Sequence, residues 1–210
     1  MLAKSIPPPK FVPARSGVTV DLDAHLKVVP AKAACKGMFF ADLFKMVESK
    51  ATPEEIATRA GIPHRRYVSF VDYPYGDLLK LTVEVAKIAH PKLSTGDAIR
   101  LIGRRCYFTL LGSQVGRVLL MSLGMDAEKV FLVAPKACRI VLNFGKFWAE
   151  RVGERHVRFG CDNYPSFLES YHVGAIEGCL EHFGNRGEVH IALTNLGSAA
   201  FDITWEAKSS

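Results

Sequence analysis

The residues of this chain that could do chemistry are scattered, and their spacing argues against most of the chemistry they could do. His172 and His182 stand ten residues apart on one candidate helix, which is not the i, i+4 pair that grips a metal. No HExxH and no His/Cys cluster occurs, so no metal site is expected. His172, beside Tyr171, could still act as a ligand or a proton carrier. The five cysteines, at 35, 106, 138, 161 and 179, have no CxxC spacing. An odd count without that spacing favours reduced, buried thiols over a disulfide framework. Cys106 alone follows a basic pair, Arg104-Arg105, but it falls on the apolar side of its candidate helix, where a thiolate is disfavoured. Serine chemistry has no GxSxG; Gly112-Ser113-Gln114-Val115-Gly116 has the wrong spacing and lies within a helical pattern. No catalytic constellation emerges, and a non-enzymatic chain without a cofactor is expected.

Arg100, Arg104 and Arg105 form a basic edge at helical spacing. They could hold an anionic group, or pair with acids elsewhere in the fold. Charge is unevenly spread: +3 over residues 1–17, +2 over 18–93, +6 over 94–158 and −5 over 159–210, within a net +6. A basic middle and an acidic end can satisfy one another, so bulk charge is a poor argument for nucleic acid. Thr52–Tyr67 resembles the front half of a helix-turn-helix, but Tyr67–Val71 leans to β and Tyr73-Pro74 interrupts any recognition helix. A nucleic-acid or nucleotide binder using the basic middle is the rival reading.

The elements that must position these residues follow from periodicity. Val18–Val29 keeps its apolar residues on one parity and reads as β. Residues 36–50 read as an amphipathic helix, and Thr52-Pro53-Glu54-Glu55 as a strong helix start closed by Gly61. Further helices are expected from Gly76 to Ala89, from Ala98 to about Leu123, and over Asp126–Val152 with a kink or break at Pro135. Arg155–Cys161 alternates as a strand. Residues 167–184 read as a helix punctuated by Gly174 and Gly178, four apart on one close-packing face. The period then switches to two: Val189, Ile191 and Leu193, a turn at Asn195–Ser198, then Phe201, Ile203 and Trp205. The pattern is α+β, a helical bundle packed on a small antiparallel sheet that ends in a helix and a β-hairpin.

With 49% hydrophobic and 23% charged residues the chain has ample material for a core. Residues 1–17, with Pro7, Pro8, Pro9 and Pro13, are expected to form a flexible arm. Residues 18–210 are expected to form a single domain, with a helical part over 31–152 and a closing helix–sheet unit over 153–206. No run approaches the roughly eighteen apolar residues of a membrane span, and the start has no secretory h-region, so a cytoplasmic protein is expected.

The chain from about Lys36 resembles a myxobacterial family, the domain of unknown function 2378 group. The landmarks are KGMFF (36–40), FVDYP (70–74), AIRLIGRR (98–105), SQVGRVLL (113–120), VAPKACRIVLNFG (133–145), YHVGAIEGCLEHFG (171–184) and FDITW (201–205). More distantly, the C-terminal unit is similar to that of vinyl-reductase-type domains, transport-particle (TRAPP) subunits and haem–nitric-oxide-binding domains. The resemblance implies a fold used to bind small apolar ligands or partner proteins. The tyrosine–serine–arginine propionate clamp of the haem-binding relatives is not expected here, and neither is their gas sensing.

These readings converge on a sensor or adaptor domain for a small apolar ligand, a protein partner or a second copy of itself. The expected crevice is lined by Phe108, Leu111, Val115, Tyr171, Cys179 and Trp205, with His172 or an arginine at its mouth. The same residues could instead form a filled core.

Overall fold

The computed structural model describes residues 9–112 and 126–206, with the backbone alone over 107–112. The fold is α+β. Several of its helices begin where the sequence supplies a cap. Helix α3 (Pro53–Ala60) opens with a capping box, in which Thr52 Oγ1 accepts from Glu55 N at 3.3 Å and Glu55 Oε2 accepts from Thr52 N at 2.8 Å. It stops at Gly61, whose φ of 62° is left-handed. Ahead of it run α1 (Leu22–Val28) and α2 (Met38–Met46); behind it come α4 (Tyr75–Ala89) and α5 (Thr95–Gly112). At the start of α5, Ser94 Oγ accepts from Asp97 N at 3.1 Å. The helix expected to reach Leu123 is described only to Gly112.

Two assignments made from periodicity are corrected. The expected strand at Val18–Val29 is helix α1 over its second half. Asp21 caps it by accepting from Ala24 N at 2.9 Å, and the even-parity residues Leu22 and Leu26 are also four apart. The second correction concerns the helix expected over Asp126–Val152. Helix α6 (Ala127–Val141) continues through Pro135, and β4 (Lys146–Gly153) follows. Asn143 pins the end of α6 to the ribbon formed by β2 (Ala34–Lys36) and β3 (Asp72–Pro74). It accepts from Ala34 N at 2.7 Å and donates to Lys32 O at 3.0 Å. Gly145, at φ 81°, then reverses the chain.

The main sheet is antiparallel, in the order β1-β6-β7-β5-β4, where β1 is Val12–Pro13, β5 His156–Asp162, β6 Gly187–Asn195 and β7 Ser198–Trp205. Its first strand falls within residues 1–17, the segment expected to form a flexible arm. Val12 pairs with Ile191, and Ala14 N donates to Val189 O at 3.0 Å. Pro13 is tolerated because β1 is an edge strand.

The inner face of the sheet follows the alternation read from sequence. Val157, Phe159, Cys161, Val189, Ile191, Phe201 and Ile203 are all buried. Leu193 is instead exposed, where the β6–β7 register shifts before Asn195. On this face lies the segment expected as one helix over 167–184. It opens with a wide π-helical turn, Leu168–His172, and continues as α7 (Val173–His182).

Candidate functional site

Helices α5 and α7 approach so closely that side chains are excluded between them. A Cβ on Gly174 would stand 2.0 Å from the Arg100 carbonyl oxygen, and one on Gly178 2.3 Å from that of Arg104. In the opposite direction, a Cβ on Gly103 would stand 2.0 Å from the Tyr171 carbonyl oxygen. The close-packing face read from Gly174 and Gly178 is therefore the seam between these helices.

Charge reinforces the seam. Glu177 lies between the two glycines in sequence, and its carboxylate accepts from Arg100 Nε at 3.0 Å and Arg104 Nε at 3.1 Å. A further ion pair joins Arg100 to Glu177, and Arg104 reaches Glu181 at 3.2 Å. Burial pushes the Glu177 carboxyl up, but the hydrogen bonds and charges of the two arginines outweigh it and hold the carboxyl below its ordinary range. Arg100 also donates to Arg15 O at 2.9 Å, tying the N-terminal segment to the seam. The basic edge expected as an anion site is thus engaged, through Arg100 and Arg104, with acids of the C-terminal unit; Arg105 lies on the exposed side of α5. No second helix completes a helix-turn-helix: an irregular segment and strand β3 follow α3, in line with the β-leaning Tyr67–Val71 and the interruption at Tyr73-Pro74.

The seam roofs a cavity of about 200 Å³. Helix α4 contributes Tyr75, Leu78, Leu79 and Thr82, α5 contributes Cys106, and α6 contributes Phe131, Ala134, Ala137 and Cys138. The π turn and α7 contribute Tyr171, His172, Ala175, Ile176 and Cys179. Of the residues expected to line a crevice, Tyr171, His172 and Cys179 border this cavity. Trp205 does not: its ring packs on Phe131 at 5.9 Å, because the last inward position of β7 lies beyond the cavity wall. The side chains of Phe108 and Leu111, and the whole of Val115, lie outside the described residues.

Sequence reasoning missed the polar wall. Tyr164 and Ser166, from the loop after β5, border the cavity beside Tyr75. Burial pushes the Tyr75 hydroxyl pKa well above its ordinary range, against the opposing influence of the neighbouring Ser166 and Tyr164. A signal was available, since Tyr164-Pro165-Ser166-Phe167-Leu168 carries the first two members of the tyrosine–serine–arginine clamp. At the third stands Leu168, which is 2% exposed. The His172 ring lies 5.1 Å from that of Tyr164, and its Nε2 is buried without a hydrogen-bond partner. Tyr171 and His172 both border the cavity, and burial lowers the His172 pKa to about 4. Burial likewise pushes the Cys106 thiol up to about 11 and the Cys138 thiol up to about 12. These thiols are poor nucleophiles at neutral pH.

Among the described residues no arginine, lysine, aspartate or glutamate borders the cavity. Its chemistry is therefore that of an uncharged apolar chamber with one hydroxyl-rich wall. The same residues do not fit a haem. His172 could face an iron, but two propionates would find no cation among the described lining residues to receive them. The volume also falls below the ~300–1,000 Å³ of sites that enclose drug-sized ligands.

The family model described as "Protein of unknown function (DUF2378)" matches residues 27–206. No curated protein matches the chain in sequence. Among solved structures, a mutant H-NOX protein from S. oneidensis in the Fe(II) ligation state superposes with a TM-score of 0.68 at 14% identity, over 83% of this chain and 98% of that one. The Fe(II) unliganded H-NOX protein from K. algicida gives 0.64 at 15% identity, over 83% and 98%. An oxygen-binding H-NOX domain related to soluble guanylate cyclases, in its oxygen complex, gives 0.62 at 13% identity, over 82% and 96%. At such identities the likeness is one of fold.

Proposed function

We propose, for a chain that belongs to the DUF2378 family of proteins of unknown function, a non-enzymatic sensor or adaptor role in which the cavity beneath α7 holds a small uncharged apolar molecule. The observation that carries this reading is the cavity itself. An apolar void of about 200 Å³, left empty, costs roughly 5 kcal/mol at ~24 cal/mol per Å³, a large share of a domain's stability. A ligand that fills it recovers much of that cost. An engineered apolar cavity of ~150 Å³ stays dry and takes up benzene, so the size suits a molecule somewhat larger than that. The H-NOX likeness supports the reading in one respect, because the fold includes an oxygen-binding domain. Binding a small molecule is within the fold's capacity.

Haem is the ligand this account excludes, and reconstitution tests it. Protein incubated with haem and passed over a desalting column is expected to show no stoichiometric Soret band. A stoichiometric band that disappears in His172→Ala would overturn the proposal and make the chain a haem protein.

A further inference from the structure

We infer that the loop between α3 and β3 is a peripheral membrane anchor, which seats Phe70 and two flanking valines in the surface of an anionic lipid bilayer. Nine large hydrophobic side chains are exposed among the described residues, and three of them, Val68, Phe70 and Val71, fall within four consecutive positions. Each is half-exposed, at 49%, 49% and 48%. Single apolar residues on a surface need no explanation, but a cluster does. None of these residues borders the cavity, so the anchor is independent of the ligand reading.

The cluster sits on a tight turn, in which Val71 N donates to Val68 O at 3.1 Å, so Ser69 and Phe70 form its tip. The turn is held from behind. Gly37 N donates to Val71 O at 2.9 Å, Met38 N donates to Ser69 O at 3.2 Å, and Val68 N donates to the Tyr73 hydroxyl at 2.9 Å. The ring of Tyr67 stacks on that of buried Phe40, with 4.4 Å between centroids. The tip therefore needs little ordering before it meets a surface.

Charge decides what that surface is. Residues 63–71 carry His64, Arg65 and Arg66 and no acid. Both arginines are exposed, and neither is ion-paired among the described residues. Asp72, the next acid along the chain, is taken by Lys36 at 2.8 Å. An apolar tip with cations beside it complements hydrocarbon lying beneath anionic headgroups. A protein partner is served less well, because three half-exposed side chains fall short of the ~800 Å² that each side of a stable interface buries. Single-stranded nucleic acid would want aromatic faces, and the tip offers one ring beside two valines. No helix among the described residues is long and apolar enough to cross a membrane, so the attachment proposed is to the surface alone.

Sedimentation of the full chain with vesicles of phosphatidylcholine, and with vesicles carrying about one-third phosphatidylglycerol, tests this. The expected result is binding about 25-fold tighter to the anionic vesicles, the effect of two arginines near a charged surface. In R65Q/R66Q that ratio is expected to fall to about two, and Phe70→Ser is expected to weaken anionic binding about tenfold. Phe70→Trp should shift its fluorescence to the blue on anionic vesicles by more than the parent does. A parent indifferent to anionic vesicles, equal binding by parent and Phe70→Ser, or no added blue shift would each overturn the inference. A dimer formed without vesicles and broken by Phe70→Ser would also overturn it, in favour of a second copy of the chain. The substitutions fall on exposed side chains, and the parent's lipid preference decides the matter even if a variant does not fold.

Discussion

Gly178→Ala is expected to destabilise the protein by about 3 kcal/mol, at the upper end of what overpacking costs. Intrinsic propensity alone predicts the opposite, because alanine is the better helix former by up to ~1 kcal/mol. Geometry decides the sign. The new Cβ would meet the Arg104 carbonyl oxygen at 2.3 Å and its carbonyl carbon and Cα at 2.9 Å. These are backbone atoms inside a helix and cannot swing aside as a flexible side chain would. Helix α7 must move off α5, stretching the contacts of Glu177 with Arg100 and Arg104. Gly174→Ala, with its contact at 2.0 Å, should behave alike. The double variant should cost less than the sum, because once the helices have parted the second methyl meets less resistance. Thermal melts would show each single change as a fall of roughly 6–12 °C. A neutral or raised midpoint would mean that the helices are not in backbone contact.

Acidification from pH 7 to pH 4 is expected to remove roughly 3 kcal/mol of stability through His172 alone. Burial lowers its folded-state pKa from 6.5 to about 4. Below about pH 6.5 the unfolded chain takes up a proton that the folded protein refuses. Stability from this source is therefore fully present above pH 6.5 and is lost progressively towards pH 4. The rings around the imidazole belong to Tyr164, Tyr171 and Phe201, and none of them supplies a charge that would favour the imidazolium. Denaturant titrations of the parent and His172→Leu at pH 7 and pH 4.5 should show the parent losing more on acidification. Parallel losses would show that His172 titrates as a solvated histidine.

The parts of the fold legible in the sequence were those with local punctuation. Thr52-Pro53 and Gly61 bounded α3, Ser94 and Asp97 began α5, and the turn at Asn195–Ser198 fixed the hairpin. Strand β4 was not legible, because Phe144, Phe147, Trp148 and Val152 satisfy a helical period as readily as an alternation. What ends α6 is Asn143 bonding to Lys32 and Ala34, more than a hundred residues earlier in the chain. The site divides in the same way. Tyr171, His172 and Cys179 could be read from one glycine-bearing segment. Tyr75, Ser166 and Cys138 come from three separate elements, and only the tertiary fold brings them to one cavity. The role of Arg100 and Arg104 was left open between an anion and a pairing, because their partner Glu177 lies more than seventy residues away.

The most direct measurement of the central claim is the thermal midpoint of the parent and of Ala175→Phe, each with and without saturating toluene. Ala175 borders the cavity, and a phenyl ring placed there would supply from within the chain what the ligand supplies from outside. The account predicts that toluene at about a hundred times its dissociation constant stabilises the parent by ~2.7 kcal/mol and leaves Ala175→Phe unchanged. A parent indifferent to toluene, or equal stabilisation of both proteins, would contradict it.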